Sequence, residues 1–301
     1  MSWKKKISEA FEKAHKIEFD EKSKFILFSD VHRGINDWSD DFAHNQILFF
    51  FALREYFEKG FTYIEVGDGD ELWENKYFSD IRYAHSHIFW LLREYFLQDR
   101  FYLIYGNHDI ERQKKETVQK TLSEFRDDRT GETRELFKSI TVYESIILEH
   151  KKSGGELFLL HGHQADCVSG VLWRFSRFMV RHFWKRLQLL GINDPTSPAK
   201  NFKRAEKVDK KLLSWAQEHK KTLIAGHTHR SRLADNPTEP YFNTGSCVHP
   251  RCITGLEIEG SKITLVKWWF SIDEKKECDC LTVKREVLAG PKNLNEYLNI
   301  G

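Results

Sequence analysis

The stretch FTYIEVGDGDELWEN, residues 61–75, joins an apolar run to a cluster of acids. The run FTYIEV favours a β-strand because it is rich in β-branched and aromatic residues and ends at a glycine. The acids that follow are Asp68, Asp70, Glu71 and Glu74. Such a density of negative charge is costly unless a positive group compensates it. The stretch therefore predicts a strand that ends at a cation site, and Asp68 is the acid closest to the strand.

Four other apolar runs end in polar residues in the same way. The five strand candidates span residues 24–30, 61–68, 100–107, 156–163 and 221–229. Helical periodicity at about 40–59 and 79–98 fills two of the gaps, which predicts an α/β sheet with helices on its faces. After residue 240, short strand patterns follow one another without a helix, and this indicates added antiparallel strands.

Composition restricts the class of protein. The chain has 301 residues, 40% of them hydrophobic and 31% charged, which is typical of a globular domain that can bury a sizeable core. The longest apolar run, residues 47–53, is far shorter than the ~20 residues that span a bilayer. The N-terminus lacks the apolar core of a signal peptide, and the five cysteines form no C-x-x-C pair. We expect one domain over residues 1–301, located in the cytoplasm.

Metal-binding residue types cluster at the polar ends of the five strands. They are Asp30, His32, Asp68, Asn107, His108, His161, His163, His227 and His229. Ligands of open α/β sheets collect outside the carboxyl ends of the strands, so these side chains can converge although they are distant in sequence. Carboxylate, amide and imidazole groups without thiolate suit manganese, iron, zinc or magnesium. A carboxylate between two cations can bridge them, and Asp68 is the candidate for that role.

The ordered series D-x-H, G-D, G-N-H-D, H-G-H and G-H-T-H, over residues 30–229, resembles the calcineurin-like metallophosphoesterase superfamily. The resemblance implies a four-layer α/β/β/α sandwich with a dinuclear metal centre. It assigns Asp30, His32 and His229 to one metal and Asn107, His161 and His227 to the other, with Asp68 bridging the two. It implies two divalent ions, manganese first, with iron, zinc or magnesium as alternatives.

The chemistry implied by this resemblance is hydrolysis of a phosphoester or pyrophosphate bond. A hydroxide shared by the two cations would attack phosphorus, without a covalent protein nucleophile. His108 would stabilise phosphoryl charge or protonate the leaving oxygen, and Asp109 would orient His108. Arg33 and His163 are candidates for substrate contact, and His163 is equally compatible with a supporting role beside His161.

A basic segment interrupts the alternation of strands and helices. Residues 167–211 contain eleven Lys and Arg against three acids, and Arg174, Arg177 and Arg181 recur at helical spacing beside an apolar stripe. We expect an inserted helical cap over residues 165–219. Its arginines would contact phosphate, and its apolar stripe would contact a lipid or membrane surface. The pattern is equally consistent with a helix whose apolar stripe packs on the core and whose arginines are merely solvated.

The position of this insertion and the sequence GDGDELW are similar to those of the UDP-2,3-diacylglucosamine hydrolases of lipid A synthesis. This similarity implies a nucleotide-linked lipid as substrate and attachment to the inner face of the membrane. The chain departs from that family at His108, where an arginine is common, and at HGH, where H-G-D is common. A nuclease or a Ser/Thr protein phosphatase of the same superfamily is the alternative, so nucleic acid stays open as a partner. A protein-binding scaffold is the non-enzymatic alternative.

Overall fold

The computed structural model describes residues 2–127, 130–166, 202–273 and 280–298. The helices in this part of the chain are α1 (Trp3–Glu12), α2 (Gln46–Glu58), α3 (Phe78–Ala84), α4 (Ser86–Leu97), α5 (Lys115–Leu122), α6 (Phe202–His219) and α7 (Asn295–Leu298). The strands are β1 (His15–Phe19), β2 (Lys24–Phe28), β3 (Thr62–Val66), β4 (Phe101–Ile104), β5 (Glu124–Arg126), β6 (Thr133–Glu135), β7 (Val142–Tyr143), β8 (Ser145–His150), β9 (Glu156–Leu160), β10 (Thr222–Ala225), β11 (Tyr241–Asn243), β12 (Cys252–Glu259), β13 (Lys262–Asp273) and β14 (Cys280–Asn293).

Two large sheets dominate the described residues. One has the order β14-β13-β12-β2-β3-β4-β7, and the other has the order β1-β8-β9-β10-β11. In the first sheet β2, β3, β4 and β7 are parallel, whereas β12, β13 and β14 add to β2 in antiparallel fashion. The prediction that antiparallel strands follow residue 240 is confirmed. In the second sheet β9 and β10 are parallel neighbours, so their carboxyl ends lie at the same edge.

The two sheets pack face to face, and helices cover their outer faces. Alternation along β2 sends Leu27 into the core between the sheets and Phe28 into the core beneath α2 and α4. On the other side, Phe158 of β9 packs with α1 and α6. Near-continuous apolar runs such as that of β2 are the expected result, because strands covered on both faces are apolar on both. The predicted four-layer sandwich is confirmed.

The helix predictions are right in type and differ in extent. The pattern at 40–59 forms a helix only from Gln46, and the pattern at 79–98 forms two helices, α3 and α4. The break falls at His85, whose backbone (φ −114°, ψ 35°) leaves the helical region and whose Nε2 lies 3.0 Å from the Asp40 carboxylate. The helix is thus interrupted at the buried contact between His85 and Asp40, although the helical spacing of apolar residues continues through it.

The predicted cap over residues 165–219 needs a correction at its C-terminal end. Residues 202–219 form α6, which buries Val208, Leu212 and Trp215 against the five-stranded sheet. This part is an outer layer of the sandwich, since its apolar stripe packs on the core. The part of the predicted cap between 167 and 201 lies outside the described residues. Within the described ranges, no helix has the length and apolarity needed to cross a membrane.

Candidate metal centre

The candidate centre lies where strands β2, β3, β4, β9 and β10 end. At five of the seven predicted ligand positions the backbone is left-handed: Asp30 (φ 51°), His32 (φ 50°), Asp68 (φ 51°), His227 (φ 66°) and His229 (φ 56°). This conformation is uncommon for residues other than glycine and costs on the order of 1–3 kcal/mol at each position. The same strained conformation recurs at five positions of one site, which indicates that the surrounding fold imposes it to place these side chains.

Two glycines allow the motif loops to approach one another closely. A Cβ on Gly106, just before Asn107, would overlap the carboxylate of Asp68. A Cβ on Gly226, just before His227, would overlap Ser29 and the carboxylate of Asp30. Glycine at both positions therefore brings ligands from different strands into contact.

The predicted ligand atoms converge around the two carboxylates. Asp30 Oδ1 lies 3.0 Å from His229 Nε2 and 3.9 Å from His32 Nε2. Asp68 Oδ2 lies 3.0 Å from His161 Nε2 and 3.8 Å from His32 Nε2. Ligand atoms about 2.0–2.2 Å from one cation are roughly 3 Å apart, so this spacing suits donors that share an ion. Among the described residues three groups could hold a cation; two consist of predicted ligands, Asp30–His32–His229 and Asp68–His161–His227, and the third is His32–Glu71–His108.

Each carboxylate uses one oxygen to fix its position and leaves the other for the centre. Asp30 Oδ2 accepts hydrogen bonds from the backbone N–H of His227 at 2.9 Å and from the Ser29 hydroxyl. Asp68 Oδ1 accepts the backbone N–H of His108 at 2.8 Å. The remaining oxygens, Asp30 Oδ1 and Asp68 Oδ2, face the imidazoles. Both side chains are buried, so their negative charge requires a cation nearby.

Four buried atoms at this point make no hydrogen bond of good geometry, although Asp30 Oδ1 and His161 Nε2 each lie 3.0 Å from another ligand atom. They are Asp30 Oδ1, His32 Nε2, Asn107 Oδ1 and His161 Nε2. Buried polar atoms are nearly always hydrogen-bonded, so four unsatisfied donor or acceptor atoms in one place require another partner. All four belong to ligand types that divalent cations accept. The residues present therefore fit a metal centre, and the buried, unsatisfied amide oxygen of Asn107 is compatible with the ligand role that the resemblance implies.

The chain also matches a family model. Residues 23–231 match the calcineurin-like phosphoesterase model, which covers more than half of the chain. The chain belongs to the calcineurin-like phosphoesterase family. It has no match among the curated proteins. Among solved structures it is similar to vacuolar protein sorting 29 from Cryptosporidium parvum, with 12% identity, a TM-score of 0.35 and coverage of 89% of this chain and 98% of that chain. It is also similar to Vps29 from Chaetomium thermophilum, with 11% identity, a TM-score of 0.37 and coverage of 88% and 95%.

Glu71, which lies just after the G-D motif, contacts two histidines at the candidate centre. Its carboxylate lies 2.9 Å from His32 Nδ1 and 2.8 Å from His108 Nδ1. Trp73 stacks on the ring of His108 with centroids 4.3 Å apart. Burial opposes ionisation of Glu71, but the charges and hydrogen bonds of His108 and His32 lower its pKa to about 2. Glu71 is thus an anionic acceptor that orients two imidazoles.

Asp109 does not orient His108, contrary to the prediction. Its two carboxylate oxygens accept the backbone N–H groups of Gly106 at 2.6 Å and Gly69 at 3.0 Å, and one of them also contacts Arg112. Asp109 therefore ties the second and third motif loops together. Burial, opposed in part by Arg112, raises the pKa of Asp109 to about 6.

The prediction that Arg33 contacts phosphate is also contradicted. Arg33 is 1% exposed, and its guanidinium binds both oxygens of Glu65 at 2.7 and 2.8 Å. Its Nε donates to Asp70 at 2.6 Å, and Asp70 also pairs with Arg112. The guanidinium is thus committed to a buried ion network beneath the centre. Glu65 was missed by sequence reasoning, although a carboxylate within a buried strand is a signal that a cation must accompany it.

The other predicted substrate contacts have different outcomes. His163 is buried, its ring centroid lies 5.6 Å from that of His161, and its Nδ1 makes no hydrogen bond. Burial, together with the charges of His161 and His227, holds the pKa of His163 well below its usual value. His163 thus lies beside the centre, next to His161. Arg174, Arg177 and Arg181 lie outside the described residues.

Proposed function

We propose that this chain is a metal-dependent phosphohydrolase that cleaves a phosphodiester or pyrophosphate bond. The observation that carries the proposal is the set of four buried, unsatisfied ligand atoms around Asp30 and Asp68. Two divalent cations would satisfy them. One would be held by Asp30, His32 and His229, the other by Asn107, His161 and His227, and Asp68 would contact both.

The two cations, when bound, supply a nucleophile by acidifying water and neutralise the charge of the phosphoryl oxygens. Manganese is the first ion to test, and the same mixture of oxygen and nitrogen ligands accepts iron, zinc or magnesium. The protein leaves one oxygen of each aspartate available to a cation. The other oxygen of Asp30 and of Asp68 accepts a backbone N–H, which fixes the carboxylate in place.

His108 is the proposed catalytic side chain at the edge of the centre. Its Nδ1 is hydrogen-bonded to Glu71, so Nε2 is the nitrogen left to meet a substrate oxygen. Stacking on Trp73 restricts rotation of the ring, and the side chain keeps 20% of its surface exposed. A positioned imidazole that protonates a leaving oxygen contributes typically 10²–10⁴-fold to the rate.

The substrate class that we propose is a nucleotide-linked lipid. The support is the sequence GDGDELW and the basic segment 167–211, which lies between the fourth and fifth motifs. Cationic side chains of this segment would meet the phosphates, and its apolar stripe beside Arg174, Arg177 and Arg181 would meet acyl chains or a membrane surface. A nuclease or a protein phosphatase is the alternative with the same centre.

A panel of substrates with manganese tests both levels of this proposal. The panel contains an aryl phosphomonoester, an aryl phosphodiester, a nucleotide pyrophosphate, UDP-diacylglucosamine, single-stranded DNA and a phosphopeptide. We expect hydrolysis of UDP-diacylglucosamine to exceed that of the others. Preference for DNA would keep the phosphodiester chemistry and overturn the lipid assignment, whereas preference for the phosphopeptide, a phosphomonoester, would overturn both.

Variants of two aspartates separate the proposed centre from a contaminating hydrolase. Asp68→Asn should lower turnover by roughly 100-fold or more, because cations supply several kcal/mol of transition-state stabilisation. Asp80→Asn, an exposed position on α3, should retain wild-type turnover. Equal turnover in Asp68→Asn and wild type would contradict the proposed reaction.

A further inference from the structure

The imidazoles of the centre differ in which ring nitrogen is already hydrogen-bonded. In His161, Nδ1 lies 2.9 Å from the carbonyl oxygen of Val66, and Nε2 is left for the centre. His32 has the same arrangement, with Glu71 on its Nδ1. In His227 the arrangement is reversed, because Nε2 lies 3.3 Å from Asp166 Oδ2. The nitrogen of His227 that remains for a ligand bond is therefore Nδ1.

Asp166 is held firmly enough to act on the His227 ring. It is 4% exposed and follows the 3-10 turn His163–Ala165 that leaves the fourth motif. The same oxygen that meets His227 lies 2.6 Å from Arg204 Nη2, which comes from α6. A carboxylate cannot donate, so the hydrogen bond requires a proton on His227 Nε2. The Asp166–Arg204 pair thereby selects one tautomer of the imidazole.

We propose that Asp166 is a positioning residue that presents His227 Nδ1 to the second cation, with Arg204 holding the carboxylate in place. The inference rests on the proposed dinuclear centre. Groups that hydrogen-bond the outer nitrogen of a ligating histidine fix its orientation and raise its basicity, and their loss typically costs 10–100-fold in metal affinity. The contact joins α6 and the fourth motif to the fifth, although these residues are distant in sequence.

Manganese titration of the full chain, followed by calorimetry, tests this role without depending on turnover. We expect two sites in the wild type. Asp166→Ala should keep one site and weaken the other by about 10–100-fold, and Asp166→Asn should recover most of the loss because its amide oxygen still accepts a hydrogen bond. Two sites of unchanged affinity in Asp166→Ala would overturn this inference alone. A wild-type chain that binds no manganese would overturn the proposed function as well.

Asp209→Ala is the matched control for effects on the loop. Asp209 is a carboxylate of α6 that accepts hydrogen bonds from the Thr228 hydroxyl at 2.9 Å and the Tyr241 hydroxyl at 2.8 Å. It supports the same loop without touching an imidazole that would bind metal. We expect both sites to persist in this variant. A loss equal to that of Asp166→Ala would show that loop support, not imidazole orientation, determines affinity, and would overturn the inference.

A second measurement covers the case in which Asp166→Ala does not fold. In metal-free wild-type chain labelled with ¹⁵N-histidine, the His227 signals are assigned by their loss in His227→Gln. We expect a proton on Nε2 of His227, hydrogen-bonded to Asp166. A bare Nε2 would overturn the inference.

Discussion

Removal of the Arg33 side chain should destabilise the fold strongly, because Arg33 is a positive partner of two buried carboxylates. Glu65 and Asp70 are both fully buried, and Arg33 donates three hydrogen bonds to them. After Arg33→Ala, Asp70 retains Arg112, whereas Glu65 retains the Tyr63 hydroxyl at 2.8 Å. Most of the cost therefore falls on Glu65.

The expected loss in the free energy of unfolding is about 3–5 kcal/mol, the usual cost of leaving one member of a buried ion pair without its partner. This is a large fraction of the ~5–15 kcal/mol that stabilises a typical domain. Arg33→Lys should recover only part of it, since an ammonium cannot reproduce the two-pronged contact with Glu65. Glu65→Gln added to Arg33→Ala should also recover part, because it removes the uncompensated charge.

Urea unfolding of the wild type, Arg33→Ala, Arg33→Lys and the double variant, with EDTA present, measures these free energies without a contribution from metal binding. Arg93→Ala is a control, since Arg93 lies on the partly exposed face of α4 and should cost less than about 1 kcal/mol. A cost of the same small size for Arg33→Ala would refute the reasoning. A change confined to KM, with unfolding unaltered, would restore Arg33 as a substrate contact.

Three further predictions concern Glu71, Gly106 and Trp215. Glu71→Ala should lower kcat by roughly 100-fold at saturating manganese, because His108 loses the acceptor that orients it; steady-state kinetics would show this, and an unchanged kcat would contradict the role of Glu71. Gly106→Ala should cost about 1–3 kcal/mol in urea unfolding through overlap with Asp68, and a neutral effect would contradict the close approach of the two loops. Trp215→Ala should cost about 3–5 kcal/mol in the same assay, whereas an effect below about 1 kcal/mol would contradict the packing of α6 on the sheet.

Much of the centre could be predicted because its ligands follow apolar runs directly. A strand covered on both faces is largely apolar, so the polar cluster that follows β3, beginning at Asp68, marks both the strand end and the ligand. The ordered motifs then gave the partners of Asp68. The same logic missed β1 and β8: the pattern HKIEF at 15–19 is short and mixed, and SIILEH at 145–150 precedes β9 so closely that it joins it as an antiparallel neighbour.

What could not be predicted are contacts made by residues that look ordinary in sequence. Arg33 follows a ligand and has the chemistry of a phosphate contact, but burial beside Glu65 determines its role. Asp166 and Arg204 are 38 positions apart, and nothing in their local sequence indicates that they meet at His227. The C-terminal limit of the predicted cap differs from the structure for a related reason. A basic amphipathic pattern is equally compatible with an exposed lid and with a helix in the outer layer of the sandwich.

The most direct test of the account is a manganese titration of the metal-free chain, followed by electron paramagnetic resonance. We expect two ions per chain with a spin-coupled signal, because Asp68 would bridge them, and loss of that coupling in Asp68→Asn. A folded wild-type chain that binds no manganese, or binds ions that show only the signal of isolated manganese, would contradict it.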